Sequence, residues 1–258
     1  MANWPAFIGG LLLAGPLICA TSQAVNDWYD RHVDALNEPN RPIPSGRIPG
    51  AWGLYLALIW TGLSLALAAQ LGPTVFAAAG LGLALAWAYS APPFRLKRSG
   101  WWGPGAVALS YEGLTWFTGA AVMTGGMPAT PVLWLAGLYA FGAHGIMTLN
   151  DFKAIEGDRA TGIRSLPVTL GVDAAARFAC VVMAAPQVVV AALLVSWDRP
   201  WHAAVIAVSL AVQGVLMLRL LGDPRRLTPW YNATGTSLYV LGMLAAAFAV
   251  STLPGAVT

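Results

Sequence analysis

The sequence predicts an all-α fold, a polytopic membrane helical bundle. Three observations predict it. Its 258 residues are 57% hydrophobic and only 10% charged, against about 25% charged in a typical soluble domain. The apolar residues gather into runs of membrane-spanning length. Lys and Arg fall almost wholly on alternate connections between those runs. A soluble fold is excluded on composition, and one integral membrane domain over residues 1–258 is expected.

The expected spans are 6–26, 51–70, 73–90, 103–124, 129–150, 174–196, 202–221 and 233–252, eight in all. Each is long enough to cross a hydrocarbon core of about 30 Å. Only a helix satisfies its own backbone in lipid over such a length. Breakers separate the runs: Gly72-Pro73, Gly125-Gly126-Met127-Pro128, Arg199-Pro200 and Asp223-Pro224. The start MANWPAF has no basic segment, so a cleaved signal peptide is not expected. Of the 14 Lys and Arg, all but Arg199 lie in 27–49, 91–102, 151–177 and 219–231. By the positive-inside rule those four regions face the cytoplasm and both termini face outward. Cys19 and Cys180 lie in apolar runs without metal-ligand spacing. No basic run is long enough to imply nucleic acid.

Seven of the eleven acids gather in two clusters on the cytoplasmic regions, Asp27, Asp30, Asp34 and Glu38 in one and Asp151, Glu156 and Asp158 in the other. The first begins Asn26-Asp27-Trp28 and has Asp34 eight residues after the Asn. The second begins Asn150-Asp151-Phe152 and has Asp158 eight residues after its Asn. The copies are 124 residues apart, which reads as an internal duplication. It would set two acidic clusters facing each other. Asn26, Asp30 and Asp34 recur every four residues and share one stripe of a helix. Like charges at that spacing repel, so the stripe makes sense around a cation. Carboxylate and amide oxygens suit Mg²⁺, which binds one or two carboxylates together with substrate phosphates. The surrounding Arg31, Arg41, Lys153, Arg159 and Arg164 make sense if that substrate is a diphosphate. The bland alternative is a pair of solvated helix ends, which matched spacing in both copies disfavours.

The strings NDWYDRHVDALNEPNRPIPSGRI, AYSAPPFRLKRSGWWG and LNDFKAIEGDRATGIRSLPVTLG resemble the UbiA superfamily of intramembrane prenyltransferases, and within it the chlorophyll and bacteriochlorophyll synthase branch. YEGLTWFTGAAVMTGG and PWYNATGTSLYVLGM are similar to the bacterial side of that branch. The family usually has nine helices, with the first acidic motif after the second. Here it follows the first span, so one amino-terminal helix is expected to be missing. Many relatives carry an Asp where this sequence has Ala154. That leaves Asp151, and Glu156 as a further candidate, to serve with Asp158.

The resemblance implies transfer of a geranylgeranyl or phytyl group from its diphosphate to the propionate of bacteriochlorophyllide a. It implies two Mg²⁺ bridging the diphosphate, one on Asn26, Asp30 and Asp34, the other on Asp151 and Asp158. Lys153, Arg159, Arg41 and Arg164 become diphosphate partners. The site would face the cytoplasm from a bacterial inner or intracytoplasmic membrane, with membrane lipid around it and no protein partner indicated. Glu112, deep in the fourth span, is a candidate for the acceptor cavity, since an acid there is costly. A protonated Glu bonded to a neighbouring helix is the alternative. The Tyr89 ring could face the carbocation, or simply pack. His144 could ligate the chlorin Mg, although an intramolecular hydrogen bond is the commoner fate of such a His. Arg95, Lys97 and Arg98 serve topology or touch an anionic substrate. Competing functions are prenylation of an aromatic quinone precursor, a coupled transporter and a pigment-binding scaffold. A transporter would place its charges near the bilayer midplane, and a scaffold would not need the four motif Asp residues.

Overall fold

The computed structural model describes residues 3–253, so both ends of the expected 1–258 domain, 1–2 and 254–258, lie outside the described residues. Every long element is helical, and no strand is formed among the described residues. The chain divides into two compact units, 1–96 with 114–128, and 97–113 with 129–258.

The first unit holds α1 (Trp4–Leu12), a π-helical segment (Leu13–Cys19), α2 (Ala20–Asn37), α3 (Trp52–Leu71) and α4 (Pro73–Ser90). α5 (Trp102–Ala108) belongs to the second unit and α6 (Leu114–Thr124) to the first. The π segment surrounds Pro16, which cannot donate a backbone bond to the preceding turn. The widened turn leaves the Pro16 carbonyl to accept from Trp60 Nε1 at 2.9 Å. Leu13, Ala68, Val75, Ala79, Ala121 and Val122 form this unit's core. Mostly small side chains let the helix backbones approach closely, as lipid-embedded packing requires.

The second unit continues with α7 (Thr130–Asn150), a 3₁₀ turn (Asp151–Ala154), α8 (Ile155–Thr161) and α9 (Leu166–Thr169). It closes with α10 (Val172–Ser196), α11 (Pro200–Gly222) and α12 (Pro224–Ser251). α7 packs on α10, α10 on α11, and α11 on α12. Gln187 on α10 and Gln213 on α11 are fully buried and exchange amide bonds of 3.2 and 3.0 Å. Arg199, the one Lys or Arg outside the four cation-rich regions, donates to Thr252 Oγ1 at 3.2 Å and to its carbonyl at 2.8 Å. It thereby caps the end of α12.

α7 and α10 meet closely at Gly145, where a Cβ would lie 2.5 Å from the Ala179 carbonyl oxygen and 2.6 Å from Met183 Cγ. Backbone cannot give way there. Gly145→Val is expected to destabilise the protein by about 1–3 kcal/mol, read as a lower melting temperature in detergent. An unchanged melt would show that α7 and α10 do not pack this tightly.

Seven helical runs, rather than eight, are long and apolar enough to span a membrane among the described residues. The expected span 103–124 is helical throughout but interrupted by a π turn at Leu109–Gly113 around Glu112. Its Tyr, Glu and Trp residues make it less apolar than the rest. Two expected loops are also largely helix. The helix entering 27–49 runs on to Asn37, and 219–231 is helical apart from a break at Asp223. Several polar residues propagate a helix nearly as well as Ala, so a fall in hydropathy does not by itself mark a helix end.

Candidate functional site

The two acidic motifs occupy matching places on their own helices. Asn26 and Asn150 lie 22 and 20 residues past the first residues of their helical runs. That is roughly 30 Å of helix, one hydrocarbon thickness. Each motif therefore begins where, by length, the apolar slab ends.

In the first unit the stripe forms as the four-residue spacing requires. Asn26 Nδ2 donates to Asp30 Oδ2 at 3.0 Å and to Ser90 Oγ, at the end of α4, at 3.2 Å. With its NH₂ engaged, the Asn26 amide oxygen is the end left to meet a cation. Asp34 is 9% exposed. After α2 the chain turns back, and Arg41 Nη1 reaches Asp34 at 3.1 Å and Asp27 at 3.2 Å. Arg41 Nε also pairs with Glu38. The hydrogen bond to Glu38, with the charges of Asp34 and Asp27 added, raises the guanidinium pKa further above its ordinary value. Arg41, expected to meet a diphosphate, thus holds three carboxylates of its own segment. Arg31 stacks on Trp28, 4.0 Å from the ring centre. Tyr89 is half-buried on α4 beside Ser90. A cavity of about 180 Å³ lies under the turn, lined by Asp27, Pro42, Ile43 and Gly53 among others. It is too small for a substrate of drug size, which needs about 300 Å³ or more.

In the second unit the motif is not one regular helix. α7 ends at Asn150, a 3₁₀ turn carries Asp151 and Lys153, and α8 carries Asp158 and Arg159. Gly162 stops α8 in the left-handed region, φ +72°, and its N–H caps the Asp158 carbonyl. Asp158 is buried and Asp151 half-buried, near enough for their charges to repel. Lys153, Arg159 and Arg164 are exposed. Glu156, the substitute considered for position 154, turns instead to Arg225 at 3.3 Å and Arg159 at 4.0 Å. It does not join the other two acids.

The connection between α8 and α9 is anchored by backbone. Gly100 N–H donates to the Arg164 carbonyl at 2.8 Å, and Arg164 N–H donates to the Arg98 carbonyl at 3.0 Å. The basic stretch 97–100 is thereby fastened to the chain just beyond Asp158. Asn232 of α12 donates its amide N–H to Asn150 Oδ1 at 3.0 Å. His144 has both ring nitrogens engaged, Nε2 with the Trp101 carbonyl at 3.1 Å and Nδ1 near Thr148 Oγ1 at 3.4 Å. Hydrogen bonding within the bundle accounts for it. Glu112 is half-buried in its π turn. Ser90, Gly100 and Asn232 were not identifiable from sequence, because each acts on a partner 64 or more residues away.

The donor set is made of oxygens alone. Among the described residues no three His, Cys, Asp or Glu converge into a cage able to hold a metal unaided. A soft metal is therefore disfavoured. Mg²⁺ fits, because it completes its shell with water and phosphate oxygens around one or two carboxylates.

The chain matches the UbiA prenyltransferase family over residues 1–240. It is 62% identical to the bacteriochlorophyll synthase 33 kDa chain of Cereibacter sphaeroides, over 96% of this chain and 82% of that protein. It is 47% identical to the 34 kDa chain of Chloroflexus aurantiacus, over 96% and 81%. Chloroplastic chlorophyll synthase of Arabidopsis thaliana is 38% identical over 93% of this chain and 63% of its own length. Among solved structures, a digeranylgeranylglyceryl phosphate synthase superimposes with TM-score 0.76 at 21% identity, covering 95% of this chain and 92% of that one. An Archaeoglobus fulgidus UbiA homolog bound to DMAPP and Mg²⁺ gives TM-score 0.73 at 20% identity, over 98% and 90%. These two likenesses are of fold.

Proposed function

Because the chain belongs to the UbiA prenyltransferase family, we propose that it transfers a geranylgeranyl or phytyl group from its diphosphate to the propionate carboxylate of bacteriochlorophyllide a. This is the esterification step of bacteriochlorophyll biosynthesis. The observation that carries the reading is the 62% identity to a bacteriochlorophyll synthase across 96% of the chain.

In the reaction the C1–O bond to diphosphate breaks and the diphosphate keeps the electron pair. A propionate oxygen then closes on C1 to form the ester. The carboxylate is already ionised near neutral pH, so no base need take a proton from it. Asn26, Asp30 and Asp34 would hold one Mg²⁺, and Asp151 and Asp158 a second. Bound Mg²⁺ would supply positive charge to the departing diphosphate. Lys153, Arg159 and Arg164 add cations to its oxygens. Arg41 joins them once its carboxylates face a metal instead. Tyr89 presents a ring to the electron-poor C1, and Glu112 borders the acceptor. Apolar helices keep water from the allylic cation. The cytoplasmic side of a bacterial membrane is the proposed location, since the cation-rich connections mark that side.

Purified protein given bacteriochlorophyllide a and geranylgeranyl or phytyl diphosphate is expected to form esterified pigment with Mg²⁺ and none with EDTA. The readout is chromatography of the pigment. Absence of ester, together with prenylation of an aromatic acid under the same conditions, would overturn the acceptor assignment.

A further inference from the structure

We propose that Asn232, on the last helix, supplies a neutral oxygen to the second Mg²⁺ site, in place of the carboxylate that position 154 lacks. This rests on the metal reading above, and it adds a ligand that the acidic motif does not contain.

The first motif spaces its donors by four residues, Asn26, Asp30 and Asp34. The second has Asn150, Ala154 and Asp158 at the same spacing, so its middle donor is a methyl group. Glu156 does not replace it, being paired with Arg225 and Arg159. α12 packs against α7 and against the 3₁₀ turn that carries Asp151. From α12, Asn232 Nδ2 donates to Asn150 Oδ1 at 3.0 Å. The other end of the same amide, Asn232 Oδ1, is buried and has no hydrogen-bond partner among the described residues. One turn along, Thr236 Oγ1 is also buried without a partner.

A buried amide oxygen without a partner is destabilising. An apolar side chain would fill the same space without that penalty. The oxygen is an acceptor only, so its missing partner is a cation or a hydrogen-bond donor, never a bare anion. Asp151 follows Asn150 directly in the chain, on the 3₁₀ turn against which α12 packs, and in the metal reading above Asp151 and Asp158 hold a cation. One Mg²⁺ with its waters answers both needs. The orientation of the pair follows from its other contact: Asn150 Nδ2 donates weakly to Met147 Sδ at 3.9 Å, so Asn150 turns its oxygen to Asn232 Nδ2 and Asn232 Oδ1 is the oxygen left over.

The test uses Mn²⁺ as a paramagnetic substitute for Mg²⁺, with free Mn²⁺ counted by electron paramagnetic resonance during titration of the full chain in detergent. The wild-type protein is expected to bind two Mn²⁺. Asn232→Ala should weaken one of them by about 10- to 100-fold and leave the other unchanged. Asn232→Asp should retain both. Adding Ala154→Asp to Asn232→Ala should restore the lost site, which repair of a packing defect would not do. Should Asn232→Ala fail to fold, Asn232→Asp still reports, since a carboxylate in place of a ligating amide should keep both ions and tighten one of them, and unchanged affinity would overturn the role of Asn232. Asp158→Ala separates the two levels of inference. If it removes a Mn²⁺ and Asn232→Ala weakens none, the role of Asn232 is overturned and the metal reading stands. If neither variant changes Mn²⁺ binding, both are overturned.

Discussion

Asp34→Ala is expected to lower kcat for ester formation by about 10²- to 10³-fold, the scale of losing one preorganised electrostatic contact to a developing anion. The protein should still fold. Asp34 is nearly buried at the end of its stripe, and removing a carboxylate usually strands a cation. Here it does not, because Arg41 keeps Asp27 at 3.2 Å and Glu38 as well. Arg41 is also 36% exposed, so water can take the vacated position. The melting temperature in detergent should therefore shift little while turnover collapses. Asp34→Asn sharpens the result. The amide can still accept from Arg41, so the local geometry survives, but the charge that would hold Mg²⁺ is gone. An equal loss in both variants assigns the effect to charge. Turnover within a few-fold of wild type would mean that the first stripe does not hold the metal.

Gly100→Val should produce the largest structural defect. A Cβ at this position would fall against the Leu166 amide nitrogen, 2.7 Å from the Ser165 carbonyl carbon and 2.8 Å from the Arg164 oxygen. All three are backbone atoms, with no rotamer to relieve the clash. The stretch 97–100 must lift away, breaking the two backbone bonds between it and Arg164. Two bonds at about 0.5–1.5 kcal/mol each, with overpacking of about 1–3 kcal/mol, predict a loss of several kcal/mol. Thermal unfolding and protease cleavage near residue 100 are the measurements. Because Arg164 and Lys153 belong to the proposed diphosphate contacts, activity should fall with stability. A normal melt would show that the two segments are not joined.

The spans were legible because composition and breakers carry them. Gly72-Pro73 and Arg199-Pro200 end and begin helices where expected. The first stripe was legible for a similarly local reason, since a period of four on a helix is a contact. α2 beyond Asn26 was harder to read. Its residues are polar, and hydropathy marks where lipid ends, not where a helix does. The π turns at Leu13–Cys19 and Leu109–Gly113 insert a residue without a fixed sequence signature, although Pro16 and Glu112 lie within them. By sequence Arg41 is a ligand for substrate, yet it meets the carboxylates of its own turn. Sequence lists a cation's possible partners without ranking them. Glu156 illustrates the same limit, since Arg225 lies 69 residues away. Asn232 stood within a recognisable string, but its link to Asn150 crosses 82 residues, and no local rule spans that distance.

The reciprocal amide pair between α10 and α11 has a consequence for how the chain assembles. These two spans are the most apolar of the set. Val, Ala and Leu dominate both, and such surfaces offer many sliding positions of nearly equal energy. A slip of one turn, about 5.4 Å, would separate Gln187 from Gln213 and leave two amides facing hydrocarbon. Only one alignment pairs them, so the Gln residues act as a detent that selects it, as a single buried polar residue does in a coiled coil. Since α10 and α11 are consecutive, this detent can engage as soon as the hairpin has entered the bilayer. The α12 face that meets Asn150 then docks onto a partner whose height is already fixed.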